Sequence, residues 1–283
     1  MKPKFACSDF TFPLLAHNQV LKLVSMMDFE GVDIGLFEGR SHLQPSTEFA
    51  DIAANSQKLK NSLNENNLVA ADVFLQCDND FSIYAINQPD KPKRDFARDW
   101  YLKTMEYAAN LDAKHVTILP GVDFGQNFEA DFALAAEEFA WRVEKAREYG
   151  ITLGFEAHVG SLVKQPLQAE RLVKSVDGLT LTLDYTHFVR MGMEQKDYSI
   201  LMPYASHFHA RNAAPGQLQT IFNENEIDYK AVVQSMLDTD YKGFVGIEFI
   251  WMEWENGNRV DNVSETILLR NFIRDNWLEL SKK

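Results

Sequence analysis

Ala130-Asp-Phe-Ala-Leu-Ala-Ala-Glu-Glu-Phe-Ala-Trp-Arg-Val-Glu-Lys-Ala-Arg-Glu-Tyr-Gly150-Ile-Thr-Leu-Gly-Phe-Glu156-Ala-His158 holds a whole helix, its stop and the strand that follows. Apolar residues at Phe132, Leu134, Ala135, Phe139, Val143 and Ala146 recur at helical spacing over 130–149. Gly150 fits the position just past the helix, where a left-handed backbone costs least without a Cβ. The run 151–155 is short, apolar and rich in β-formers, and it ends on a carboxylate, Glu156. A buried strand that delivers a charge at its C-terminal end is how parallel barrels build sites.

The same unit recurs along the chain. Strands are predicted at 5–7, 32–37, 68–75, 115–119, 151–155, 179–183, 206–209 and 244–249. Helices are predicted at 18–28, 47–66, 93–110, 130–149, 166–176 and 263–280, with Ser46 and Thr47 as caps of the second and a short helical segment after the sixth strand. Eight strands alternating with helical segments in 283 residues predict a (β/α)8 TIM barrel of the α/β class, a single domain over 1–283. No G-x-G-x-x-G turn and no GKS or GKT loop occurs, which argues against an open dinucleotide-binding sheet.

Composition narrows the partners. With 28 Lys and Arg against 41 Asp and Glu, the formal charge is −13. The densest basic stretch, 91–98, alternates with Pro92, Asp95 and apolar residues, so no cluster is built to follow a phosphate backbone, and nucleic acid is not an expected partner. Cys7 and Cys77 are too few for a disulfide framework and lie in no zinc-type spacing, which suits a reducing cytoplasm. The N-terminus has no apolar signal core, and no apolar run approaches a membrane span, so the expectation is a soluble cytoplasmic chain with no membrane partner.

Read at their C-terminal ends, four consecutive strands stand out: Gly154-Phe-Glu156-Ala-His158, Leu183-Asp184-Tyr-Thr-His187, Phe208-His209-Ala-Arg211 and Gly246-Ile-Glu248-Phe249. Each places a carboxylate or an imidazole after an apolar run, and buried charges are costly unless paired or metal-bound. Three carboxylates and one imidazole form an excess of negative charge that a divalent cation would balance. Hard oxygen donors with one nitrogen suit Mn²⁺ first, with Mg²⁺, Co²⁺, Zn²⁺ or Fe²⁺ as alternatives.

The order of these fragments, with Gly31-Val-Asp-Ile-Gly35, Ile118-Leu-Pro-Gly121 and Lys242-Gly-Phe-Val-Gly-Ile-Glu248, resembles the xylose isomerase-like TIM-barrel superfamily over essentially the whole chain. That superfamily includes ketose 3-epimerases and inosose-processing enzymes. The resemblance implies that Glu156, Asp184, His209 and Glu248 hold one divalent metal ion. It also implies that Glu156 and Glu248 act as the catalytic acid/base pair and that His187 contacts substrate oxygens. The implied reaction is isomerisation or epimerisation of a small polyhydroxylated carbonyl compound, a sugar or cyclitol, by proton transfer through an enediolate. A lyase or dehydratase acting on a 3-oxo sugar, an inosose or a dehydroshikimate-like acid would use the same chemistry. A non-catalytic metal- or sugar-binding subunit is a third reading. Homodimers or homotetramers are expected, because superfamily members often pair barrels.

The chain departs from its relatives in two ways. Abasic-site nucleases of the superfamily need further ligands; here the early loops offer only His17 and His42, and the segment after His209 has no Asp-x-His pair. The substrate-contacting arginine of ketose epimerases normally lies several residues beyond the histidine, where this chain has Pro215 and Gly216; Arg211 is the candidate replacement, or else it orients a ligand carboxylate. His158 shares a face with Glu156 and is a substrate contact, a further ligand or a partner of the glutamate. Trp251, near Trp254, suits the apolar face of a sugar or packing at the rim, and Phe37 is similarly ambiguous.

Overall fold

The computed structural model describes residues 2–125 and 127–282. Eight strands run β1 Lys4–Ser8, β2 Gly31–Phe37, β3 Val69–Gln76, β4 His115–Ile118, β5 Thr152–Glu156, β6 Thr180–Asp184, β7 Ala205–Ala210 and β8 Phe244–Ile247. Every neighbouring pair is parallel, and β1 also pairs with β8, Lys4 opposite Phe244 through Cys7 opposite Ile247, so the sheet closes on itself. The expected TIM barrel is present.

Its principal helices are α1 His17–Met26, α2 Ile52–Glu65, α3 Lys91–Asn110, α4 Phe128–Glu148, α5 Pro166–Ser175, α6 Thr186–Arg190, α7 Tyr229–Asp238 and α8 Asn262–Leu280. Gly150 follows α4 with φ +66° and its N–H bonds back to Arg147 O, as a left-handed helix stop requires. The helix expected over 47–66 is instead two: Pro45–Glu48 and α2. The break is at Asp51, whose carboxylate accepts from Ala54 N–H at 3.1 Å and starts α2 afresh. Ser46 is spent elsewhere, its N–H and hydroxyl donating to Glu38.

Strand periodicity sorts the core in an unusual way. One set of alternating residues, including Val73, Val116, Leu153, Phe155, Leu181, Leu183 and Val245, is buried and apolar. Phe155 meets Phe139 of α4 at 5.4 Å between ring centres, which places this set between sheet and helices. The other set faces the barrel axis and is largely polar: Asp33, Asp72, His115, Thr117, Thr182, His207 and His209, all buried. Barrels are more often filled with branched aliphatic side chains. Here the axis is crossed by polar contacts instead, such as Thr117 Oγ1 to Thr182 Oγ1 at 2.6 Å. Cys7 and Cys77 are both unpaired. Among the described residues no helix is long and apolar enough to cross a membrane.

Candidate active site

The C-terminal ends of β5, β7 and β8 bring three of the expected residues into one group. Glu156 is the last residue of β5, and its Oε1 lies 2.9 Å from His209 Nδ1. Glu248 falls one residue beyond the end of β8, short of the strand limit expected at 249, yet its N–H still bonds to Ala210 O. Its Oε2 is 3.3 Å from the same His209 nitrogen. Glu156, His209 and Glu248 each offer one donor atom within 4.8 Å of the others. All three are nearly inaccessible, and Glu248 Oε2 is buried with no hydrogen-bond partner.

Asp184, at the end of β6, stands slightly apart. Thr186 donates to it twice, from its N–H and from its hydroxyl, both at 2.8 Å. Arg211 Nη2 donates to Asp184 Oδ2 at 3.0 Å and to Thr186 Oγ1 at 2.9 Å, while Nη1 reaches Glu248 O at 3.3 Å. Asp184 joins the group through His187, whose Nε2 lies 3.4 Å from Asp184 Oδ2 and 3.6 Å from Glu156 Oε2. Arg211 thus braces the two flanking strand ends, as well as lining the cavity above them.

That cavity, about 360 Å³, is lined by Glu156, Glu248, His158, His187, Arg211 and Trp251. All four expected substrate contacts and both expected acid/base carboxylates therefore face one space. His209 and Asp184 sit beneath it. Trp251 is 41% exposed at the mouth, on a segment pinned by Gln219, which donates to Ile250 O and accepts from Ile250 N–H. His158 packs against the His187 ring at 4.2 Å between ring centres. The spare imidazoles of the early loops stay outside the group: His17 pairs with Asp9 and His42 with Leu15 O.

The electrostatics of the two glutamates differ. Burial pushes the Glu156 carboxyl up, but hydrogen bonds and charge from His187 and His209 outweigh it and hold it well below the usual range. Burial pushes Glu248 up to about 7, against the pull of His209 and Arg211 and helped by the negative charge of Glu156 and Asp184. His209 is raised well above the usual imidazole value: burial opposes its charge, but Glu248, Glu156 and Asp33 favour it more strongly. Burial, reinforced by the neighbouring His187, lowers His158 to about 3 and keeps it neutral.

Sequence reading missed Arg40, Gln76, Phe10, Phe74 and Phe81, which also line the cavity. Arg40 lies three residues past β2, stacked over Phe37 at 4.7 Å and bonded to Gln76 Oε1. Burial lowers the pKa of its guanidinium, while the negative charge of Glu248 and Glu156 raises it. A loop arginine after a strand carries no pattern of its own. The alternation Leu75-Gln76 at a strand end was the available signal for Gln76, and Phe37 lines the cavity as one of its aromatic walls.

Comparison with known proteins agrees with the fold. Among curated proteins none matches the sequence. A structure described as a D-tagatose 3-epimerase-like protein superposes with a TM-score of 0.77 at 20% identity, over 98% of this chain and 99% of its own. An L-ribulose 3-epimerase gives 0.78 at 14% identity, over 99% and 96%. A probable 3-DHS dehydratase, AsbF from Bacillus anthracis, gives 0.68 at 14% identity, over 95% and 98%. At these identities the likeness is one of fold. The family model for the xylose isomerase-like TIM barrel matches residues 21–272, and the chain belongs to that family.

Proposed function

We propose that the protein is a divalent-metal-dependent isomerase or epimerase of a small polyhydroxylated ketone or aldehyde, acting by proton transfer at the carbon beside the carbonyl. The observation that carries this reading is the convergence of Glu156 and Glu248 on one imidazole nitrogen, at 2.9 and 3.3 Å, with both carboxylates lining the same cavity. The donor set fits a hard divalent ion: two carboxylates and an imidazole within 4.8 Å, one carboxylate oxygen without a partner, and Asp184 close by. Glu156, His209, Glu248 and Asp184 would hold the ion, with Mn²⁺ as the first choice. Its contribution is charge, which lowers the cost of negative charge developing on the substrate oxygen as the adjacent C–H bond breaks.

The chain's own residues do the rest. One of the two glutamates takes the proton from carbon and the other returns one from its own side, so that stereochemistry inverts; return at the neighbouring carbon interconverts ketose and aldose. His187 and His158, both on the cavity wall, are positioned to hold substrate oxygens, and Trp251 covers the mouth. Arg211 fixes Asp184 and the end of β8. The two free cysteines suit a reducing cytoplasm, where we place the chain.

One observation favours a second reading. Arg40 brings a positive charge to the same cavity as both glutamates, and such a charge suits a substrate carboxylate. With a carboxylated 3-oxo substrate, the same proton abstraction would end in loss of water, a dehydratase reaction. Incubating the Mn²⁺-loaded protein in D₂O with ketoses, 3-oxo sugars and dehydroshikimate-like acids separates the readings. Deuterium at the carbon beside the carbonyl with conserved mass otherwise supports the isomerase; loss of water supports the dehydratase. Neither exchange nor elimination across the panel would overturn both.

A further inference from the structure

The opposite, N-terminal mouth of the barrel holds a group that the site above does not use. Asp72 Oδ1 lies 2.7 Å from His115 Nδ1, and His115 Nε2 lies 2.7 Å from Ser206 Oγ. We propose that Ser206, His115 and Asp72 form a second, nucleophilic site that accepts an acyl group from a small neutral ester and passes it to water. The inference stands independently of the function proposed for the other end.

The backbone is shaped to make this arrangement. Along β2 and β3, Val32 pairs with Ala70 but Asp33 pairs with Asp72, so Ala71 is an extra residue. Along β6 and β7, Leu181 pairs with Ala205 but Thr182 pairs with His207, so Ser206 is extra. Bulges of this kind re-aim side chains and recur beside active sites. Without the second bulge, Ser206 and His207 would point to opposite faces; with it, both reach His115, one by hydrogen bond and one by ring stacking at 5.2 Å. His115 starts β4 and must pass over β5 to meet β7. It passes over Gly154, where an added Cβ would stand 2.8 Å from His115 Cε1 and 2.6 Å from Thr182 Oγ1.

The protonation states suit a nucleophile. Burial pushes Asp72 up, but the charge and hydrogen bond of His115 outweigh it, so the carboxyl lies below its usual value and is ionised. Burial lowers His115, and the charge of Asp72 only partly offsets this, so the ring is neutral near pH 7. A carboxylate on Nδ1 fixes the tautomer with Nε2 free to accept the serine proton. Thr180 Oγ1 lies 2.6 Å from Ser206 Oγ and 2.8 Å from Leu153 O, and it donates its one proton to Ser206 when the serine gives its own to His115. Ser206 also has a longer, 3.4 Å contact to Leu181 O. Ser206 and His115 line a cavity of about 580 Å³ in which Val69, Ala71, Met202 and Phe244 offer apolar surface to a short acyl chain, beside the charged Lys114 and Lys242.

The chemistry balances without a further reagent. Ser206 Oγ bonds to the ester carbonyl carbon as its proton moves to His115 Nε2. The ester C–O bond then breaks, and the alcohol leaves with that proton. Water attacks the acyl-serine, giving a proton to His115; the acid departs and Ser206 recovers its hydrogen. Nothing is oxidised or reduced.

The test uses the full chain with p-nitrophenyl acetate and, separately, a fluorophosphonate, read by intact mass and peptide mapping. One adduct per chain on the peptide containing Ser206 is expected. Ser206→Ala should abolish it, and Asp72→Asn should slow it by on the order of 10³- to 10⁴-fold. A chelator should leave the labelling rate unchanged. Absence of the adduct from the folded protein, an adduct on another residue, labelling of folded Asp72→Asn at the unsubstituted rate, or loss of labelling on chelation would each overturn the proposal. Should Asp72→Asn fail to fold, the isosteric Ser206→Ala and the chelator control decide it.

Discussion

The two ends of the barrel axis use the same side-chain types in different proportions. At the C-terminal end one imidazole, His209, meets Glu156 at 2.9 Å and Glu248 at 3.3 Å, with Asp184 reached through His187. At the N-terminal end one imidazole, His115, meets a single carboxylate at 2.7 Å and a hydroxyl at 2.7 Å. The lower group carries one charge: one ionised acid, one neutral ring and one alcohol, with Asp72 Oδ2 left without a hydrogen-bond partner. The upper group gathers three carboxylates around one imidazole; burial, helped by the neighbouring acids, lifts Glu248 to about 7, and those acids raise His209 well above its usual value. Identical donor types therefore serve a different purpose according to charge count. A single acid beside an imidazole holds a proton in place, whereas an acid-rich set holds a proton where a divalent ion would sit.

The largest expected effect breaks the upper group at its acids. Glu156→Gln and Glu248→Gln should each lower turnover and C–H exchange by on the order of 10³-fold, with circular dichroism and melting little changed. Full activity in either variant would remove the acid/base assignment. Next comes the cation: Mn²⁺ at about 100 times its Kd should add about 2.7 kcal/mol of stability, read as a rise in Tm that a chelator reverses. A Tm indifferent to both would make the acid-rich end as self-sufficient as the other.

Arg211→Ala sharpens the comparison by removing a brace. Because Arg211 donates to Asp184, Thr186 and Glu248 O, its loss should weaken metal retention by about 10- to 100-fold, while KM at saturating metal changes little. A raised KM with intact metal content would assign Arg211 to the substrate instead. The mildest effect is on pH dependence in the metal-free protein. Glu248, raised in the fold, contributes stability that is complete below about pH 4.5 and fades as pH rises through about 7. Glu156, held low, contributes stability that is present above its ordinary value and fades as pH falls. Denaturation series with Glu248→Gln should lose the first slope and keep the second; an unchanged series would show that Glu248 titrates normally.

Much of this was legible in the residues. The fold followed from apolar runs alternating with helical periods, and the upper group from acids and an imidazole placed after those runs. The split at Asp51 was missed because Phe49, Ala50 and Asp51 fit a helix in composition, and only the capping bond to Ala54 reveals the restart. Arg40 reaches the cavity from a loop, where spacing carries no direction. The lower group was hidden for a different reason. Asp72 sits inside a run read simply as a strand, although alternation with Val73 already places it on the other face. The bulges at Ala71 and Ser206 depend on the register between strands, which no single segment contains.

The pairing of β1 with β8 has a consequence for how the chain is made. Lys4 through Cys7 must wait for Phe244 through Ile247, so β1 finds its second partner only after the seven strands that follow it have been made. At roughly 5–20 residues per second that delay is on the order of tens of seconds, far longer than local helix formation. Throughout it the growing sheet has an open edge, which is a template for wrong pairing. Mutual repulsion from a formal charge of −13 is a means of keeping such unfinished chains apart until the last strand seals them.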